Sequence, residues 1–323
     1  MIIKKLLPLF LLIMIGCSEP EPLNYQMLVQ RDGLYYLKDT NEIYSGPVFN
    51  IKGKSTGYIK KGKWNGEFEF YHSNGQLDGI GSYKDGDGSD PGNTGIPRNG
   101  RIGTWKFYND NGQLQSESTY KNGELDGPLK IYYENGQLES EGFKKDGKQD
   151  GPFKSYYENG QLKEEGTFKD GEQDGTWKYY YENGQLEGEG TYKDGEQDGQ
   201  VKYYHDNGQL REEGTFKDGK GDGPWKWYYD NGQLKTEGNF KDGKDDGLWK
   251  YYSENGELKR EGTWKDGKED GPMKLYHENG QLEVEGTYKN GKRDGPYKYY
   301  NENGQLKEEG TFKDGELIDF KEY

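Results

Sequence analysis

Between Gly175 and Tyr181 the chain reads Gly-Thr-Trp-Lys-Tyr-Tyr-Tyr, and between Leu186 and Tyr192 it reads Leu-Glu-Gly-Glu-Gly-Thr-Tyr. Bulky and polar positions alternate in both runs, the pattern of a strand with two chemically different faces. Asn183-Gly184 lies between them, and Asn-Gly flanked by strand-like runs is a strong short-range hairpin signal. The dipeptide predicts a type I′ turn with positive φ at both residues. A second connection, Lys193-Asp194-Gly195-Glu196-Gln197-Asp198-Gly199, reads as a longer turn before a strand resumes at Val201.

The unit repeats. From Asn111 to Asn303 the Asn-Gly pair returns every 24 residues, which predicts a tandem array of hairpins, each supported by its neighbours. The fold class expected is all-β: an elongated, single-layer antiparallel β-meander of 24-residue hairpin repeats, forming a ribbon on the order of 100 Å at about 4.8 Å per strand. Because the period is even, each repeat presents the same face to the same side.

A two-residue turn fixes the pairing: Tyr181 with Leu186, Tyr179 with Gly188, Lys178 with Glu189 and Trp177 with Gly190. On the far side of the strand, Phe168 should face Gly175, Gly166 should face Trp177 and Glu165 should face Lys178. One face then carries Lys106 and its equivalents to Lys298, alternating with Glu117 and its equivalents to Glu309, together with a tyrosine row from Tyr108 to Tyr300. The ladder penalises slipped registers by bringing like charges together. The other face carries Trp105, Leu129, Phe153, Trp177, Val201, Trp225, Trp249, Met273 and Tyr297, with glycine across the strand from all but Trp105. Glycine weakens a strand, so its regular use here predicts a ring lying flat on bare backbone.

Composition alone would point elsewhere. Only 29% of the 323 residues are apolar, 32% are charged and 52 are glycine, a mixture typical of disorder. The 29 Tyr, 12 Phe and 7 Trp and the strict period oppose that reading. A formal charge of −15 argues against phosphate-backbone binding and against attraction to anionic lipid.

The unit Glu-Gly-Thr-(Phe/Tyr)-Lys-Asp-Gly followed by Asp-Gly-Pro-(Trp/Phe)-Lys, as at Glu165–Gly171 and Asp222–Lys226, resembles the bacterial variant of the MORN repeat over roughly residues 57–323. The resemblance implies a long twisted sheet and a scaffolding or membrane-associated role. Many members carry a toxin–antitoxin antitoxin label, which here would mean neutralising a toxin met in the envelope, because the chain opens with an export signal.

That signal comprises Lys4 and Lys5, an apolar run from Leu6 to Ile15, and Gly16 before the sole cysteine, Cys17. Met14-Ile15-Gly16-Cys17 resembles a bacterial lipobox, which implies a palmitate-bearing lipoprotein anchored at Cys17 in the cell envelope, at an outer membrane if there is one. An ordinary cleavage leaving a free thiol is the alternative.

The expected organisation is a lipoprotein signal peptide over 1–16, an anchor and linker over 17–30, and a degenerate cap repeat over 31–66. The array follows over 67–316, with an enlarged loop at 84–96, and a closing strand over 317–323. Asp85, Asp87 and Asp90 in that loop offer carboxylates at calcium-like spacing, although ordinary turn chemistry also explains them. His72, His205 and His277 are too scattered to share a metal. No nucleophile–base pair, phosphate loop or zinc spacing is present, so the expectation is a non-enzymatic protein without cofactor.

Two functions follow. One is an envelope-anchored scaffold that binds a protein partner through an extended β surface, antitoxin- or immunity-like if the partner is an envelope-acting toxin. The other is a carbohydrate or peptidoglycan-binding module that uses an exposed aromatic row. In either case the expected binding surface is Trp105, Phe153, Trp177, Trp225, Trp249 and Tyr297.

Overall fold

The computed structural model describes residues 20–51, 53–91 and 95–323. Among them there is no α-helix. Twenty-eight strands hydrogen-bond in series into an open sheet. Neighbours are antiparallel apart from one short parallel pairing, Leu23–Asn24 with Val48–Phe49. The all-β meander read from the sequence is the fold.

By its contacts the chain divides into two units. The second holds residues 113–119 and 124–323 and contains the regular repeats. Strand Glu172–Tyr180 pairs with Leu186–Lys193 on one side and Leu162–Lys169 on the other. Lys178 faces Glu189 and Glu165, Tyr179 faces Gly188 and Trp177 faces Gly190, as the register argument requires. Near the turn the pairing shifts: Tyr180, not Tyr181, lies opposite Leu186. On the far side Phe168 pairs with Gln173 rather than Gly175.

Both departures have one cause, which is that the two turn types are exchanged. Gly184 N–H donates to Tyr181 O (2.8 Å) and Tyr181 N–H to Gln185 O (2.9 Å). Only Gly184 has positive φ, at 85°. The Asn-Gly connection is therefore a hydrogen-bonded turn over Glu182 and Asn183 with glycine in the bulge position. The two-residue type I′ turn sits instead at Asp170-Gly171, where φ is 53° and 98° and Lys169 pairs with Glu172. The expected long loop is thus a tight hairpin whose return strand bulges at Gly175-Thr176, after Asp174 has paired with Thr167, before register resumes.

The first unit holds the described residues up to 112, together with 120–123. The expected cap strands form at Leu34–Leu37, Gly46–Phe49 and Thr56–Lys60, but they do not make one more in-line repeat. The hairpin Leu28–Arg31/Leu34–Leu37 is a separate two-stranded sheet. Tyr35 stacks on Trp64 at 6.5 Å between ring centroids, and Tyr35 N–H donates to Gly62 O at 2.9 Å. The hairpin therefore adds a local second layer.

Beneath that layer Trp64, Phe68, Phe70, Tyr83, Trp105 and Phe107 form a continuous buried cluster. The 66/67 boundary falls inside strand Lys63–Tyr71. The enlarged loop begins only after Leu77–Gly86 and ends at Arg101–Tyr108.

Arg101 closes that loop. It is buried, and its guanidinium lies 4.6 Å from the Trp105 ring, 5.0 Å from Phe107 and 5.0 Å from Tyr120. Nε donates to Pro97 O (2.9 Å) and Nη2 to Ile96 O (2.8 Å). Carbonyls and aromatic faces thus hold a buried cation.

Candidate functional site

Each repeat offers two faces and two edges, and its alternation decides which side chains they carry. On the aromatic face the expectation of an exposed row is corrected. Trp105 and Trp177 are fully buried, Trp249 and Trp225 retain 4% and 6% exposure, and Phe153 and Tyr297 are half-buried. The rings enclose one another. Trp177 meets Phe168 edge-on at 4.9 Å and stacks against Tyr179 at 6.3 Å, while its Nε1–H donates to Thr167 O at 3.2 Å. An ideal Cβ on Gly166 would lie 2.3 Å from the Trp177 ring, and one on Gly238 2.1 Å from the Trp249 ring. The glycine row therefore exists to seat the tryptophans. A ring with no free face cannot stack on a sugar.

On the opposite face the most regular contact is one the sequence reading missed. Tyr156, Tyr180, Tyr228, Tyr252, Tyr276 and Tyr300 donate their hydroxyls to Glu141, Glu165, Glu213, Glu237, Glu261 and Glu285. The constant offset of 15 residues was the available signal. Burial and the hydrogen bond to Glu165 push the Tyr180 hydroxyl up to about 12. In return the Tyr180 and Lys154 hydrogen bonds hold Glu165 below its ordinary carboxyl range. Ladder ion pairs form at Lys130–Glu141 (3.7 Å), Lys154–Glu165 (3.1 Å) and Lys274–Glu261 (3.5 Å).

This face also holds a Pro/Thr row beside the lysines. Phe143 and Leu248 stand in that row, 40% and 47% exposed. Shallow grooves cross it, one of them lined by Pro224, Lys226, Glu237, Asn239, Leu248 and Lys250.

The Asn-Gly edge is tethered from repeat to repeat. Asn159 Nδ2 donates to Glu182 O and Asn207 Nδ2 to Asp230 O. Tyr157, Tyr181 and Tyr229 donate their hydroxyls to the carbonyls of Tyr180, Tyr204 and Tyr252. His205 and His277 occupy the same structural position and reach the carbonyls of Tyr228 and Tyr300 at 3.1 and 2.9 Å. In the first unit His72 reaches Tyr108 O at 2.8 Å. The histidines are tethers. At the other edge the glycine N–H of each tight turn donates to the preceding one, as Gly195 does to Gln173 O.

In the enlarged loop two of the three aspartates have partners of their own. Asp90 is bound through both carboxyl oxygens by Arg98 at 3.0 Å. Asp87 accepts from Ser89 N–H at 2.9 Å. The two carboxylates are engaged separately, and no group of three or more His, Cys, Asp or Glu that could hold a metal occurs among the described residues. Cys17 and the export signal lie outside the described residues. No helix among the described residues is long and apolar enough to cross a membrane.

No curated protein matches the chain. Among solved structures it is similar to part of TcdB2-TccC3-Cdc42, with 12% identity over 88% of this chain and 18% of that one, at a TM-score of 0.18. It is also similar to part of TcdB2-TccC3, with 12% identity over 80% and 18%, at a TM-score of 0.19. This chain therefore spans less than a fifth of the length of either. The profile of the MORN repeat variant matches ten segments, at 64–85, 101–122 and 125–144 and then in 24-residue steps from 149–170 to 293–314. The chain belongs to the MORN repeat variant family.

Proposed function

We propose that this repeat scaffold is a non-enzymatic, envelope-anchored binder that receives an elongated protein partner on its Lys/Glu/Tyr face. One observation carries the reading. The aromatic face is closed by its own rings, whereas Phe143 and Leu248 stand exposed on the opposite face. A stray exposed apolar residue is ordinary, but here Phe143 replaces Thr and Leu248 replaces Pro in a periodic row beside alternating charges, on strands far apart in the sheet, which suits an elongated partner. Burial of the tryptophans removes the support for a carbohydrate module using that row.

The anchor rests on Met14-Ile15-Gly16-Cys17. A partner met in the envelope would make the protein antitoxin- or immunity-like if that partner were a toxin. Cross-linking the full chain in intact envelopes should capture a protein, and Phe143→Glu with Leu248→Glu should lose it without lowering the melting temperature. Retention on purified cell wall with no captured protein would overturn the reading. Radioactive palmitate should label the chain and fail to label Cys17→Ser.

A further inference from the structure

At one seam of the second unit the edge tethers stop. Wherever Tyr or His precedes the Asn-Gly turn in residues 133–281, its side chain reaches the carbonyl 23 residues on. Position 253 is serine. Its Oγ turns back to Asn255 and to Glu257 O, not to Tyr276 O. Asn255 Nδ2 donates to Glu257 Oε2 at 3.1 Å rather than to Glu278 O. Glu257 itself stands where the other repeats carry Gln. From Gln137 onward those glutamines lie against the next repeat's glycine, as Gln233 does at Gly256, whereas nothing lies within 4 Å of a Cβ placed on Gly280, nor on Gly136 after Gln113.

The missing ring leaves a pocket. Ser253, Asn255, Glu257, Leu258, Lys259, Leu275 and Tyr276 line it, together with the turn beginning at His277 and Glu283 on the strand after it. Two of its features match the phenol that other repeats supply for themselves. Lys163 lies 5.8 Å from the Tyr157 ring centroid and Lys235 5.4 Å from that of Tyr229. Lys259 is the equivalent lysine, six residues after Ser253. The Tyr229 hydroxyl donates to Tyr252 O at 2.8 Å, and Tyr276 O is the equivalent acceptor. A cation above the ring and a carbonyl at its far end are what the array gives Tyr157 and Tyr229, and the pocket at Ser253 offers both, whereas Tyr133 and Tyr181 have Glu139 and Glu187 in place of the lysine.

We propose that the pocket at Ser253 binds a phenol ring from outside the chain, with the ring beneath Lys259 and the hydroxyl donating to Tyr276 O. A tyrosyl side chain of a partner and a free phenol share this chemistry. The proposal stands apart from the reading of the Phe143/Leu248 face, because neither residue lines the pocket.

The test is amide NMR of the full chain titrated with p-cresol and, separately, with N-acetyl-tyrosinamide. Saturable shifts are expected at residues 254–259 and 275–283, with a dissociation constant on the order of 1 mM for so small a ring. Ser253→Tyr should weaken p-cresol binding at least about tenfold and raise the melting temperature. Tyr229→Ser should add a second site beneath Lys235. Binding of both probes assigns the pocket to a side chain presented on a backbone, and binding of p-cresol alone assigns it to a free phenol. Absence of saturable shifts with either probe, or shifts that persist unchanged in Ser253→Tyr, would overturn the proposal.

Discussion

The buried cluster around Trp64 and the ring row around Trp177 use the same side chains on the same kind of sheet, yet they exclude water by different means. In the first unit a hairpin and a long loop supply a second layer, and Trp64, Phe68, Tyr83 and Trp105 are at most 1% exposed. In the second unit the rings are covered by rings one strand away, and burial varies with the local residue. Trp177 is fully buried, Trp225 keeps 6% exposure, and Phe153 and Tyr297 are half-buried. Burial in the first unit depends on contacts distant in sequence. Burial in the second depends on the period itself, so each repeat contributes and loses stability locally.

The largest expected effect follows from that contrast. Trp64 packs against Tyr25, Tyr35, Phe68, Phe70 and Tyr83, so Trp64→Ala should cost roughly 3–5 kcal/mol and release the hairpin. Hydrogen exchange should collapse across residues 28–107 while residues 160–316 keep their protection. Phe153→Ala, at a half-buried ring, should cost less than half as much and affect only adjacent repeats. Equal and global losses from both variants would erase the distinction between the units.

How much of this was legible follows from the same difference. The central register (Lys178 opposite Glu189, Trp177 opposite Gly190) was readable because it needs only alternation and an even period. The seating of tryptophan on glycine was readable from cross-strand chemistry. The cap was not, because residues 31–66 have no period and Tyr35 meets Trp64 only after the chain folds back. Turn identity was inverted for a subtler reason. Asn-Gly and Asp-Gly both satisfy the dihedral rule for a type I′ turn, and what separates them is a non-local bond, such as Asn207 Nδ2 to Asp230 O. The histidines were readable in principle, since His205 and His277 lie at multiples of 24 from Tyr181.

The next effect tests ring seating directly. Gly166→Ala places a Cβ 2.3 Å from the Trp177 ring, which forces the indole off its strand and should cost about 1–3 kcal/mol. Gly286 occupies the same row, but there the nearest atom to a Cβ is Tyr297 Cβ at 3.5 Å and φ is not positive. Gly286→Ala should therefore be neutral or stabilise by up to about 1 kcal/mol through the unfolded chain. Urea melts of the two variants should move in opposite directions, and parallel destabilisation would show that the glycines serve backbone geometry rather than the rings.

A smaller effect belongs to the opposite face. Tyr180→Phe removes one hydrogen bond to a carboxylate and should cost about 0.5–1.5 kcal/mol at neutral pH. Glu165 titrates below its ordinary value of 4.5, with the Tyr180 bond the first cause. Its contribution is thus present above that value and lost as pH falls through the lower folded-state value. In Tyr180→Phe the Glu165 carboxyl should titrate higher by carbon-detected NMR. An unchanged titration would mean that the lysines, Lys154 and Lys178, hold it down.

The smallest effect per site accumulates along the array and separates the units once more. Tyr156, Tyr180, Tyr228, Tyr252 and Tyr276 are each pushed up to about 12, first by burial and then by the glutamate each one donates to. A folded-state value above the ordinary 10.0 means that the native state holds the proton more tightly. The contribution is complete below pH 10 and is lost as pH rises from there towards 12. Burial also raises Tyr83 of the first unit, but without a carboxylate partner among the causes. Its neighbour there is the Arg101 guanidinium, which works against the shift. Tyrosine-to-phenylalanine changes at 156, 180, 228, 252 and 276 together should flatten the alkaline loss of protection in the repeats and leave that of residues 60–107 unchanged. If the repeats still lose protection between pH 10 and 12, their alkaline sensitivity comes from the ring row rather than from the tyrosine–glutamate pairs.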